Sequence, residues 1–156
     1  IIHRNLKPSN IFLDKDLKPF ISDFCYAVQT DLTLPYILTE TTPEFMAPEF
    51  ILDWRKNQLS FKLDVYAYGI ILFMLMTEKN PFAGISPSDI LLNTQLGKRP
   101  QFTVSVDIFW KDLIIKCWNR NPLQRPTFEE ICEQIKNYKI SDINDYNEFK
   151  KYRKLF

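Results

Sequence analysis

Apolar and polar positions follow two different rhythms along the chain. Near the start, the short apolar runs NIFLD (Asn10–Asp14) and KPFISDF (Lys18–Phe24) flank the charged turn DKDLK, which predicts two strands joined as a hairpin. Cys25 to Thr42 is rich in threonine and leucine, has one proline and no clear period, and is expected to be an extended loop. After APEF the spacing becomes helical. The run VYAYGIILFMLM, Val65 to Met76, predicts a core helix capped by Ser60 and ending near Glu78. In SPSDILLNTQLG, Ser86 stands at the cap, Pro87 in the first turn, Asp89 closes a capping box and Gly97 is the stop. VDIFWKDLIIKCW places Ile108, Leu113, Ile114 and Trp118 at helical offsets. TFEEICEQIKNY opens with a second box, Thr127 and Glu130, and sets Phe128, Ile131, Ile135 and Tyr138 on one face. The sum is a small hairpin, a long loop and about four helices, with no internal repeat.

Composition narrows the class. A chain of 156 residues, 46% apolar and 25% charged, reads as one soluble globular domain. A net charge of +1 gives no reason to expect nucleic acid. The twelve apolar residues of Val65–Met76 fall short of the roughly 20 a bilayer span needs, so no membrane span is expected. Cys25, Cys117 and Cys132 are few and scattered, which suits thiols in a reducing compartment and a cytoplasmic protein. One histidine, His3, and no CxxC pair leave little for zinc. The tail KKYRKLF is basic and reads as a solvated terminus.

Candidate chemistry is confined to the first fifty residues. HRNLKPSN (His3–Asn10), SDF (Ser22–Phe24) and MAPE (Met46–Glu49) occur in that order, followed by DVYAYGIILFML and CWNRNPLQRPTF. This series resembles the protein kinase motifs H-R-D-L-x-x-x-N, D-F-G and A-P-E, with the family's central helix and its closing arginine segment. LKPSN is similar to the serine/threonine kinases, and the CW…P…RP ending to their tyrosine-kinase-like branch. The resemblance covers the chain to about Tyr138. It implies an α+β, mostly helical fold: the C-terminal lobe of a kinase, with a small β hairpin carrying the catalytic and metal loops. The implied domain is 1–138, with a catalytic loop at 3–10, an activation segment at 23–49, a helical base at 60–138, and a polar, basic tail at 139–156.

Phosphoryl transfer needs metal ions on the triphosphate and a group that receives the proton of the attacking hydroxyl. The resemblance gives Asp23 and Asn10 as magnesium ligands and Lys7 as the charge on the transferring phosphate; apart from it, each reads as an ordinary turn or surface residue. His3 is implied to pack on Phe24. Asp64 would accept backbone N–H groups of the catalytic loop, and Glu49 and Arg125 would form an ion pair. Arg4 keeps the guanidinium that grips a phosphorylated residue on the activation segment, where Thr30, Thr33, Tyr36, Thr39 and Thr41 offer hydroxyls. Thr42 matches the threonine of the substrate platform.

Three departures oppose full activity. Asn5 stands where the family has its catalytic aspartate, and an amide cannot take a proton at physiological pH, though its oxygen can accept a hydrogen bond. Loss of a general base costs about 10²–10⁴-fold. Cys25 replaces a glycine, narrowing the loop's conformations; it is expected to be an inert packing thiol, with a redox sensor the alternative. The sequence starts on the motif without a Gly-rich loop or strand lysine before it, so ATP and magnesium binding are expected to be weakened. The helix that the family places before Ile1 is also missing, which should bare one flank of Val65–Met76. The reading is therefore a pseudokinase-type module that binds a protein partner or regulates another kinase. The alternatives are an active serine/threonine kinase whose small lobe lies outside this sequence, acting on a protein substrate, and a truncated fragment without independent function.

Overall fold

The computed structural model describes residues 1–29, 42–52 and 60–138. Thr30, Thr33, Tyr36, Thr39, Thr41 and the basic tail lie outside the described residues, as does most of the expected extended loop.

The expected hairpin forms. Strands β1 (Ile11–Leu13) and β2 (Pro19–Ile21) pair antiparallel, with Phe12 opposite Phe20 and their rings stacked at 5.9 Å. Asp14 makes the turn: its Oδ1 accepts the N–H groups of Asp16 at 2.9 Å and Lys18 at 2.8 Å. Immediately before β1, Pro8–Asn10 form a 3₁₀ turn; after β2, Phe24–Tyr26 form another, so Cys25 begins in local structure and not in extended chain. A lone bridge between Ile2 and Val28 closes these two segments on each other.

Five α-helices follow among the described residues: α1 (Pro48–Leu52), α2 (Lys62–Thr77), α3 (Pro87–Gln95), α4 (Ile108–Cys117) and α5 (Phe128–Asn137). Helix α2 is apolar nearly all round, and such a helix is stable only when surrounded. It is the centre of the core, giving Val65, Tyr66, Ile70, Leu72 and Phe73 to a cluster completed by Leu113, Ile114 and Cys117 of α4, Ile131 of α5 and Phe50 of α1. Gly69 lets α4 approach: a Cβ there would lie 2.9 Å from the Cβ of Cys117. A smaller cluster of Leu6, Ala67 and Ile71 fastens the segment preceding the hairpin to the other side of α2.

The helix ends depart from the sequence reading in detail. The box at Thr127 and Glu130 is complete. That at Ser86 is half made: Ser86 accepts the Asp89 N–H, but Asp89 takes the serine hydroxyl proton instead of the Ser86 N–H, its side chain being one methylene shorter than glutamate. Ser60 lies one residue outside the start of α2, where its Oγ accepts the Lys62 N–H at 3.2 Å. Gly97, at φ +81°, ends α3 in a Schellman motif, with Lys98 N–H on Asn93 O and Gly97 N–H on Thr94 O. Ile108, expected on the inner face of α4, is 69% exposed; as the first helical residue it precedes the part of α4 that meets α2. The flank of α2 is not broadly bared among the described residues: Leu75 is exposed, while Val65, Tyr66, Ala67 and Ile70 to Phe73 are buried; the hairpin residues Phe12, Leu13, Phe20 and Ile21 are exposed as well.

Candidate functional site

The segment 3–10 is pinned from beneath. Asp64, buried in the first turn of α2, accepts the N–H groups of His3 at 2.7 Å and Arg4 at 2.9 Å. Burial pushes its carboxyl above the ordinary value, and the two N–H bonds pull the other way. Arg4 sits at φ +64°, a left-handed turn that redirects the chain, and its Nε donates to the carbonyl of Tyr26. His3 meets the Phe24 ring edge-on at 4.9 Å, while its Nε2 lies 2.9 Å from the Ser22 carbonyl and its Nδ1 faces the Asn5 N–H. The sole histidine thus joins the first segment to the end of β2 and sits off the polar cluster itself.

That cluster converges on Asp23. Asn5 Nδ2 and Asn10 Nδ2 each donate to Asp23 Oδ2 at 3.1 Å, and Cys25 Sγ donates to Oδ1 at 2.8 Å. Only the NH₂ side of an amide can face an ionised carboxylate, which fixes the orientation of both asparagines. Asn10, buried, also donates to the backbone oxygen of Asn5 at 2.8 Å. The Cys25 thiol, followed by the two amides, holds the exposed Asp23 carboxyl below its ordinary value. Lys7 adds positive charge nearby, and its Nζ donates to Thr42 Oγ1 at 3.1 Å, linking segment 3–10 to residues 42–45.

Asn5, Lys7, Asn10 and Asp23, far apart in sequence, therefore share one corner of the molecule, with Thr42 at its edge. Behind Asn5, Arg4, Thr42, Phe45, Leu63 and Asp64 line a cavity of about 30 Å³. That is room for water and not for a ligand, whose pockets run to about 300 Å³ or more. Among the described residues, no group of three or more His, Cys, Asp or Glu could hold a metal by itself. Glu49 and Arg125 lie away from this corner. Their bidentate pair, both contacts 2.7 Å, joins α1 to the turn before α5, and Arg125 also donates to the carbonyls of Lys62 and Asn119. Sequence reasoning missed one contributor to the corner and one to the surroundings of Arg125. Cys25, expected to be an inert packing thiol, is exposed and hydrogen-bonded to Asp23. Tyr66, whose ring receives Arg99 and Arg125 at 5.2 Å each, read only as core.

A mostly helical body, a two-stranded antiparallel hairpin, and a lysine, two asparagines and an aspartate gathered on the flanking segments fit a lobe of a protein kinase. The family profile of the protein kinase domain matches residues 1–135, and the chain belongs to that family. A probable serine/threonine-protein kinase of Dictyostelium discoideum is 39% identical over 136 residues, 86% of this chain and 10% of the relative. A probable LIM domain-containing serine/threonine-protein kinase of the same organism is 32% identical over 142 residues, 91% of this chain and 21% of the relative. A dual specificity protein kinase, also from Dictyostelium discoideum, is 29% identical over 157 residues, 99% of this chain and 21% of the relative. The chain thus spans between 10% and 21% of the length of these curated relatives. Among the described residues, no helix is long and apolar enough to cross a membrane.

Proposed function

We propose that the chain is the C-terminal lobe of a serine/threonine kinase domain of the tyrosine-kinase-like type, with an impaired phosphoryl-transfer centre. In this reading residues 1–138 are the kinase-like unit, and the protein works in cytoplasmic signalling by binding a protein partner or regulating another kinase. One observation carries it: at the position of the proton acceptor, Asn5 turns an N–H toward Asp23. An amide has no basicity to lend, and here its donor side faces the Asp23 carboxylate.

The other groups retain parts of the machinery. Lys7 is a compact cation suited to a phosphate, and Asp23 with the Asn10 carbonyl oxygen supplies hard oxygens. The donor set fits magnesium in kind: these two residues would hold it, with substrate phosphates and water completing the shell. Magnesium, when bound, neutralises charge on the phosphates. Three protein donors already occupy most of the acceptor sites of Asp23, two on Oδ2 and one on Oδ1, and compete with a cation there, which supports a weakened ATP and magnesium site. His3 and Asp64 hold segment 3–10 in place, and Thr42 is tied by Lys7, in the absence of a carboxylate at position 5.

The second reading is an active serine/threonine kinase that tolerates Asn5. The convergence of Asn10 on Asp23, with Lys7 at hand, favours it. Transfer of labelled phosphate from ATP by the full-length protein and by its Asn5→Asp variant tests the two. Little or no transfer by the natural form and partial recovery in the variant support the first; robust transfer by the natural form, abolished by Asp23→Ala, establishes the second.

A further inference from the structure

The groups around Asp23 do more than lack a base. An ionised carboxylate has two oxygens and about four acceptor sites. Oδ1 receives the Cys25 thiol, and Oδ2 receives the amides of Asn5 and Asn10. Every one of these donors is uncharged. Asp23 itself adopts φ +62° and ψ +61°, a left-handed conformation that a non-glycine residue keeps only where its surroundings hold it. The residue is exposed, and beside the backbone bonds of Ser22 and Ala27 on either side of it, the three side-chain donors are the contacts that reach its carboxylate. They are anchored in turn: Asn10 is buried and bonded to the Asn5 carbonyl, and the Asn5 N–H faces His3, whose other nitrogen meets Ser22. Two segments 18 residues apart are thus closed on one carboxylate. A carboxylate at position 5 could not enter this arrangement. It would set like charge against Asp23, and the pair would require a proton or a cation between them.

We propose that Asn5 and Cys25 are positioning residues that hold Asp23 in place without a divalent cation, so that the loop carrying Asp23 keeps its conformation when magnesium is removed. This rests on reading Asp23 as the magnesium-binding residue of a kinase domain. It gives the two departures from the family pattern a joint role, in which protein protons fill the place of the metal. Cys25 acts here as a hydrogen-bond donor, and a hydroxyl can take over that role.

Thermal melting of the full-length protein in excess magnesium and in excess EDTA tests the idea, with Asn5→Asp, Asn5→Ala, Cys25→Ala and Cys25→Ser beside the natural form. The expected result is one melting temperature for the natural form in both conditions. Asn5→Asp should melt several degrees lower in EDTA and recover in magnesium. Asn5→Ala and Cys25→Ala should show the same dependence at smaller size, and Cys25→Ser should behave as the natural form does. A purely structural role would lower melting temperatures equally in both conditions. If Asn5→Asp does not fold, the two alanine variants decide. Magnesium stabilisation of the natural form equal to that of the variants, or variants indifferent to magnesium, overturns the proposal. Phosphate transfer does not enter this comparison. A natural form that proves active yet melts identically with and without magnesium refutes the impaired centre and leaves the positioning role intact.

Discussion

Arg125 fastens three parts of the chain through one side chain. Its guanidinium is fully buried, forks onto Glu49 of α1, and reaches carbonyls of Lys62 at the start of α2 and Asn119 beyond α4. Removing one partner of such a pair leaves an uncompensated buried charge. Glu49→Gln is therefore expected to lower stability by about 3 kcal/mol, toward the low end for buried pairs because Glu49 keeps some solvent contact. Urea unfolding, read as a shift in midpoint at unchanged slope, measures it. The cysteines separate in the same way. Cys117 is buried against α2 and its thiol is pushed up to about 12, so it should resist maleimide in the native protein while exposed Cys25 and Cys132 react; peptide mapping by mass spectrometry reads this directly. At this scale the sequence disclosed that position 5 lacks a base, because residue type alone decides basicity. It did not disclose that the Asn5 amide points at Asp23, since that bond joins residues brought together only by the fold.

Helices and hairpin differ in what supports them. Helix α2 was legible from its unbroken apolar run, and α3 and α5 from caps and stop residues that act within one turn. The inner face of α4 was only partly legible: Leu113, Ile114 and Trp118 are buried as expected, but Ile108 is not, because helical spacing does not say where along a helix the partner begins. The role of Gly69 was invisible, since it depends on how closely α2 and α4 cross. Gly69→Ala should destabilise by about 1–3 kcal/mol, as overpacking does, the added methyl meeting Cys117 Cβ at 2.9 Å and the Trp118 backbone nitrogen at 3.1 Å. A lower melting temperature with unchanged helical circular dichroism checks it. The hairpin has three residues per strand and exposes Phe12, Leu13, Phe20 and Ile21. Two-stranded ribbons of that kind are marginal alone. In hydrogen exchange, amides of β1 and β2 should exchange well before those in the middle of α2, which is buried on nearly every side.

At the scale of the whole molecule, the helices serve as a stand on which two short segments are held face to face. Asp64 reaches from the spine α2 to fix one of them, and the Ile2–Val28 bridge ties it to the other. In the proposed reading this scaffold keeps Lys7, Asn10 and Asp23 for phosphoryl transfer, while Asn5 brings no base to it. Fold class and family were legible because five ordered motifs share the chain. What the whole protein does was not, since the chain spans a tenth to about a fifth of the relatives it matches. The deciding quantity is the turnover of a serine- or threonine-containing peptide by the full-length protein. An impaired centre predicts turnover about 10²–10⁴-fold below that of an intact kinase, with Asn5→Asp recovering part of the difference. Turnover in the ordinary kinase range of roughly 1–100 s⁻¹ by the natural form, abolished by Asp23→Ala, would contradict it.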